Sequence, residues 1–196
     1  MAYRVQAKFD SLIERFVASF ERLDHMVLDE AFDFEAWKLM EVPVGKTGCE
    51  RWAPVKYNTD PGNLDALYVK LPARFPPLYE RLVLSYRWEE VDIRSCTLLA
   101  NPAGLGLDGL FLQISRDPVL WTQLSRSAYI PFGKGSGGNY DPVCFDLKSR
   151  KKSADCKIVR INHEAILCNN RIKVVEEIAP SFEGLVIQAI ALAEKT

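Results

Sequence analysis

The sequence predicts an α+β domain in which helices at the two ends enclose an antiparallel sheet. Three observations carry this expectation. Apolar residues recur at helical spacing near both termini. Apolar and polar residues alternate through the second half of the chain. Four glycines, Gly133, Gly135, Gly137 and Gly138, separate two of the apolar runs.

The first element is a helix from about Arg4 to Asp24. Val5, Phe9, Leu12, Ile13, Phe16, Val17, Phe20 and Leu23 form one apolar stripe, opposite Lys8, Asp10, Glu14, Arg15, Glu21 and Arg22. The stripe suits the domain core or a partner helix, and core packing is the commoner case. A short helix near Phe34–Met40 follows. From Glu41 to Gly62, prolines and glycines forbid a long element, and Trp52 anchors the loop to the core. Leu71-Pro72 opens a helix carrying Leu78, Leu82 and Val83, although Pro76 and Pro77 argue for a later start.

Val91–Leu99 and Leu110–Ile114 read as strands, joined through the turn-rich Asn101-Pro-Ala-Gly-Leu-Gly. Asp117-Pro118 has the chemistry of a helix start, cap followed by proline, for a helix over Val119–Ser125. Tyr129-Ile130 leads into the glycine cluster. Val143, Phe145 and Leu147 then alternate with Cys144 and Asp146, the period of a half-buried strand. A phosphate-cradling loop needs a helix after its glycines, and here a strand follows. The segment is therefore strand, tight loop, strand. Lys157–Ile161 alternates as a third strand, which makes basic Lys148–Lys152 a hairpin loop. Asn162–Leu167 reads as a capped turn. Pro180 or Ser181 starts a last helix with Phe182, Leu185, Val186, Ala189 and Ile190 on one face.

At 196 residues the chain suits one compact domain, 46–196, with an N-terminal helical extension, 1–45, packed on it. A net charge of -1 gives no general pull toward nucleic acid. The five cysteines are odd in number and lack Cys-x-x-Cys spacing, and no signal-like stretch follows Met1, so free thiols in a reducing cytoplasm are expected. No apolar run approaches the ~20 residues of a membrane helix.

Four segments carry a resemblance to a known family. They are Leu71-Pro72 with Tyr79, Leu82 and Val83; Tyr129-Ile-Pro-Phe-Gly133, then Gly137-Gly-Asn139 and Cys144-Phe-Asp-Leu147; Val159 to Glu164; and Ile178-Ala-Pro-Ser-Phe-Glu-Gly-Leu185. Their order and spacing resemble the SUKH superfamily, the SMI/KNR-type domain, over roughly residues 50–195. The family often has asparagine-glycine-glycine after its leucine-proline helix, where this chain has Ser85-Tyr-Arg-Trp-Glu-Glu90. The resemblance implies a curved antiparallel sheet flanked by helices and a binding module rather than an enzyme. Bacterial members look like immunity proteins that neutralise a toxin, frequently a nuclease. Fungal relatives are regulators of cell-wall synthesis.

Chemistry read from the residues agrees with a non-enzyme. His25 and His163 are the two histidines, and His163-Glu164 lacks the second histidine of a zinc-hydrolase helix. Ser136 stands between glycines but precedes a strand, unlike a nucleophile elbow. Cys144 or Cys168 would need a base in space. Asp141 and Asp146 lie five residues apart on one strand and so on opposite faces, which disfavours a metal site. No cofactor or metal is expected. The expected partner is a protein, with no direct nucleic-acid or membrane contact, and the chain is a monomer or homodimer. The candidate partner-binding residues are Tyr86, Trp88, Glu89, Glu90 and Asp92, aromatic groups beside acids, together with Asp29, Glu30 and Asp33 of the acidic Glu21–Glu41 stretch. The alternative is a regulatory or scaffold domain binding a protein or small ligand.

Overall fold

A computed structural model describes residues 2–24, 41–42, 51–102, 106–150, 152 and 154–196. The short helix expected near Phe34–Met40, the acids Asp29, Glu30 and Asp33, and the boundary near residue 45 lie outside the described residues. Described helices are α1 (Ala2–Ala18), α2 (Phe20–Leu23), α3 (Asn63–Tyr68), α4 (Pro77–Ser85), α5 (Gly106–Ile114), α6 (Pro118–Arg126), α7 (His163–Asn169) and α8 (Phe182–Ala193). Described strands are β1 (Glu41–Val42), β2 (Arg51–Trp52), β3 (Val55–Lys56), β4 (Tyr86–Arg87), β5 (Val91–Asp92), β6 (Thr97–Leu98), β7 (Tyr129–Lys134), β8 (Pro142–Asp146), β9 (Lys157–Ile161) and β10 (Val174–Ala179).

The α+β class is as the sequence predicts. Six strands form one open antiparallel sheet in the order β10-β9-β8-β7-β6-β5, and β1-β2 and β3-β4 make two-stranded ribbons beside it. The three strands read around and after the glycine cluster are its central members. Alternate residues of a strand face opposite sides, and here helices cover both. Ile130, Phe132, Val143, Phe145 and Ile158 join the main core with α1, α4 and α8. Tyr129, Cys144, Val159 and Ile161 join a smaller cluster with Leu124 of α6 and Ile166 of α7. The half-buried strand expected at Val143–Leu147 is thus buried on both faces as far as Phe145.

An aromatic cluster fills the main core. Phe132 and Phe145 stack with ring centroids 4.2 Å apart. Tyr79 of α4 meets Phe145 and Phe182, each at 5.1 Å. The stripe of α1 and α2 enters the same cluster through Ile13, Phe16, Val17, Phe20 and Leu23. It is therefore spent on the domain's own core, and the N-terminal helices share that core rather than adding a second one. Trp52, 2 % exposed, anchors its loop as expected.

The leucine-proline helix begins at Pro77, the later start for which its two prolines argue, because a residue before proline is steered out of the helical region and Phe75-Pro76-Pro77 supplies two such sites. Three elements differ from the sequence reading, each for a local reason. Val91–Leu99 is a hairpin rather than one strand. Asp92 Oδ1 accepts from the Arg94 amide at 2.6 Å and Arg94 takes φ +69, which reverses the chain. Leu110–Ile114 is helical, since Leu107, Leu110 and Ile114 bury one helix face. The capped turn at Asn162 continues as α7, with Asn162 Oδ1 accepting from the Ala165 amide and left-handed Asn170 closing the end. Two further elements carried weak patterns. In α3, Leu64 and Leu67 are the buried pair. The edge strand β10, Val-Val-Glu-Glu-Ile-Ala, is largely exposed and lacks alternation.

Helix α6 is as read. Asp117 Oδ1 accepts from the Val119 and Leu120 amides, both at 2.9 Å, with Pro118 at the first position. Ser181 caps α8 through the Gly184 amide at 3.0 Å, which settles the choice between Pro180 and Ser181.

Candidate functional site

The glycine loop is a structural device held by acids. Gly133 is where β6 passes closest: a Cβ there would lie 2.8 Å from the Thr97 carbonyl oxygen. Gly137 and Gly138 turn the chain with φ +66 and +83, a region that penalises side chains. Gly135 donates its amide to the Asp141 carbonyl at 2.9 Å and closes the loop. Across the sheet edge, Asp92 Oδ2 accepts from Ser136 Oγ and from the Gly137 amide. The loop does wrap a negative group, and that group is the protein's own carboxylate.

Asp141 fastens the other side. Its Oδ1 accepts from the His163 amide at 2.9 Å and meets His163 Nδ1 at 2.7 Å. A carboxylate orienting an imidazole is also part of a catalytic triad. Here the same oxygen holds the backbone at the start of α7, so the pair joins helix to loop. The buried thiols are far from nucleophilic. Burial holds Cys96 and Cys144 well above the ordinary thiol range and pushes Cys156 up to about 12. Cys168 is exposed on α7. Among the described residues no group of three or more His, Cys, Asp or Glu side chains is placed to hold a metal ion. None of their helices is long and apolar enough to cross a membrane.

The residues expected to meet a partner are gathered together but turn largely inward. Trp88 is 0 % exposed, donates Nε1 to the Leu99 carbonyl at 3.0 Å and bridges to Asn101. This corrects its assignment to a surface hot spot: β3 lies on one side of β4, the Asn101 bridge follows on the other, and the indole is enclosed. Tyr86 is half-buried against the main core, and its carbonyl accepts from Asn101 Nδ2 at 2.7 Å. Glu90 is ion-paired with Lys134. Glu89 is half-buried, and its Oε1 is enclosed without a hydrogen-bond partner. Burial, and then the charge of Glu90, push its carboxyl up to about 8. Asp92 serves the glycine loop. These three acids therefore differ from the free acidic face expected of them.

Beside this network lies an open cleft of about 550 Å³, between the α5–α6 corner and the β7–β8 end of the sheet. Leu99, Ile114, Leu120, Leu124, Pro131 and Pro142 give it an apolar floor. Tyr140, 72 % exposed, and Arg116 stand at its margin. Arg116 was illegible in the sequence, because its place depends on α5 being a helix that ends at Ile114, just before it.

No family model, no curated protein and no solved structure matches the chain. The likeness to the SUKH superfamily rests on the quoted residues alone.

Proposed function

We propose that this protein acts by contact: it is a protein-binding module and, in its most concrete form, a SUKH-like immunity protein that neutralises a cognate bacterial toxin in the cytoplasm by direct binding. The observation that carries this reading is the open cleft, lined by apolar residues of which Leu99 and Leu120 are partly exposed, with an exposed tyrosine at its margin. Covering apolar surface gains about 25 cal/mol per Å², and tyrosine is a frequent anchor of binding energy. Side chains that would suit turnover are otherwise engaged. Ser136 donates to Asp92, His163 is held by Asp141, and Cys144 is enclosed and protonated.

The deciding experiment is co-expression with the product of the adjacent reading frame. The expected result is a complex that survives gel filtration and rescue of cells from that product's toxicity. Absence of both overturns the reading.

A further inference from the structure

The cleft between the α5–α6 corner and β7 sets charged side chains beside apolar ones. Among the described residues four charged side chains line it: Glu90, Arg116, Asp117 and Lys134. Glu90 and Lys134 neutralise each other. The Asp117 carboxylate is committed to the first amides of α6. Among the described residues Arg116 is the lining charge whose side chain has no hydrogen bond, ion pair or ring contact, and it is exposed. Asp117 keeps its charge, partly offset by the positive N-terminal end of α6, so among the described residues Arg116 is the lining charge whose donors are unused beside the apolar lining.

From this we infer that the cleft is the partner-binding surface, and that its occupant is a protein segment with a large apolar side chain next to a carboxylate. The apolar group covers Leu99, Leu120 and the Tyr140 ring, and the neighbouring acid pairs with the Arg116 guanidinium. A guanidinium matches a carboxylate through two parallel hydrogen bonds. The opposite choice, a basic segment, meets the like charge of Arg116, finds Glu90 paired with Lys134, and finds Asp117 engaged through Oδ1 at the start of α6. This inference rests on the protein-binding reading above and adds where contact occurs and which chemistry is recognised. It also departs from the sequence expectation of an acid-presenting face, since the lining charge with unused donors among the described residues is a guanidinium.

The test uses the full chain, isotope-labelled, and two blocked tetrapeptides, acetyl-Gly-Phe-Asp-Gly-amide and acetyl-Gly-Phe-Lys-Gly-amide. The acidic peptide should shift the amide signals of Ile114, Arg116, Leu120 and Tyr140 at millimolar concentration. The lysine peptide should bind about tenfold more weakly, and Arg116→Glu should reverse that order. Shifts confined to other residues, equal binding of the two peptides, or no binding of either overturns the inference. A second arm separates it from the broader reading. In a complex with a cognate partner, Arg116→Glu and Leu120→Asp should each accelerate dissociation about tenfold or more. A complex that forms and is untouched by both substitutions overturns the cleft assignment and leaves the protein-binding function standing.

Discussion

Asp92 and Ser136, forty-four residues apart in sequence, meet across the edge of the sheet, where the serine hydroxyl donates to the aspartate carboxylate. The same carboxylate also accepts from the amides of Gly137 and Arg94. One side chain on β5 thus closes its own hairpin and straps down the glycine loop. Asp92→Ala should lower stability by about 2–3 kcal/mol, as loss of a multiply bonded acceptor does. Ser136→Ala should cost about 1 kcal/mol. Urea unfolding measures both, and amide exchange in Gly135–Asn139 should accelerate more in the Asp92 variant. Equal, negligible effects would mean that the loop keeps its shape without the strap.

Glu89 gives the protein a pH dependence of definite sign. Its carboxyl is raised to about 8, above the ordinary value of 4.5. Between those values the folded state holds a proton that the unfolded state has released. Its stabilisation is thus complete below pH 4.5 and is lost as pH rises through about 8. Glu89→Gln keeps the neutral shape and abolishes this loss. After discounting for the side chain's partial exposure, the variant should gain about 1–2 kcal/mol over wild type at pH 9 and little at pH 5. Chemical denaturation at the two pH values decides the matter, and a pH-independent difference would contradict the assignment.

Glycine at 133 is required by a close backbone approach, whereas at 138 it is required by conformation. Gly133→Ala puts a methyl 2.8 Å from the Thr97 carbonyl, so β6 must move, at an expected cost of about 2–3 kcal/mol. Gly138→Ala meets open space but must hold φ +83, at about 1–2 kcal/mol. Thermal unfolding of the pair should preserve that order. The reverse order would place the constraint in the turn.

How much of this was legible depends on whether a residue's neighbours in sequence are also its neighbours in space. Helix α6 was readable because cap, proline and apolar face lie within nine residues, and α8 for the same reason. The paired strands β7 and β8 were readable from the glycines between them. The Val91–Leu99 hairpin was not, because a single Asp92 side chain and one left-handed arginine make its turn without glycine or proline. Leu110–Ile114 is an apolar run too short to separate strand from helix by period. The cleft was hidden for a deeper reason. Its walls come from α5, α6, the two strands β7 and β8 and the connecting residues Glu90 and Leu99, and Arg116 acquires meaning only when Glu90 is seen to be taken by Lys134.

Trp88 and Tyr140 make the sharpest contrast between core and contact surface. Both are aromatic, and both lie near acids in the sequence. Trp88 has no exposed surface and donates a hydrogen bond to Leu99, whereas Tyr140 is mostly in solvent. Trp88→Ala should destabilise the fold by about 3–5 kcal/mol through the cavity it leaves. Tyr140→Ala should alter stability by less than about 0.5 kcal/mol, as surface changes do, yet weaken a partner complex by about 1–2 kcal/mol. Unfolding curves and a binding titration on the same two variants read the two effects separately. A Tyr140 variant that unfolds early would make the ring structural. One that binds its partner at full strength would remove it from the contact, because an exposed ring beside an apolar floor has no other packing role to lose.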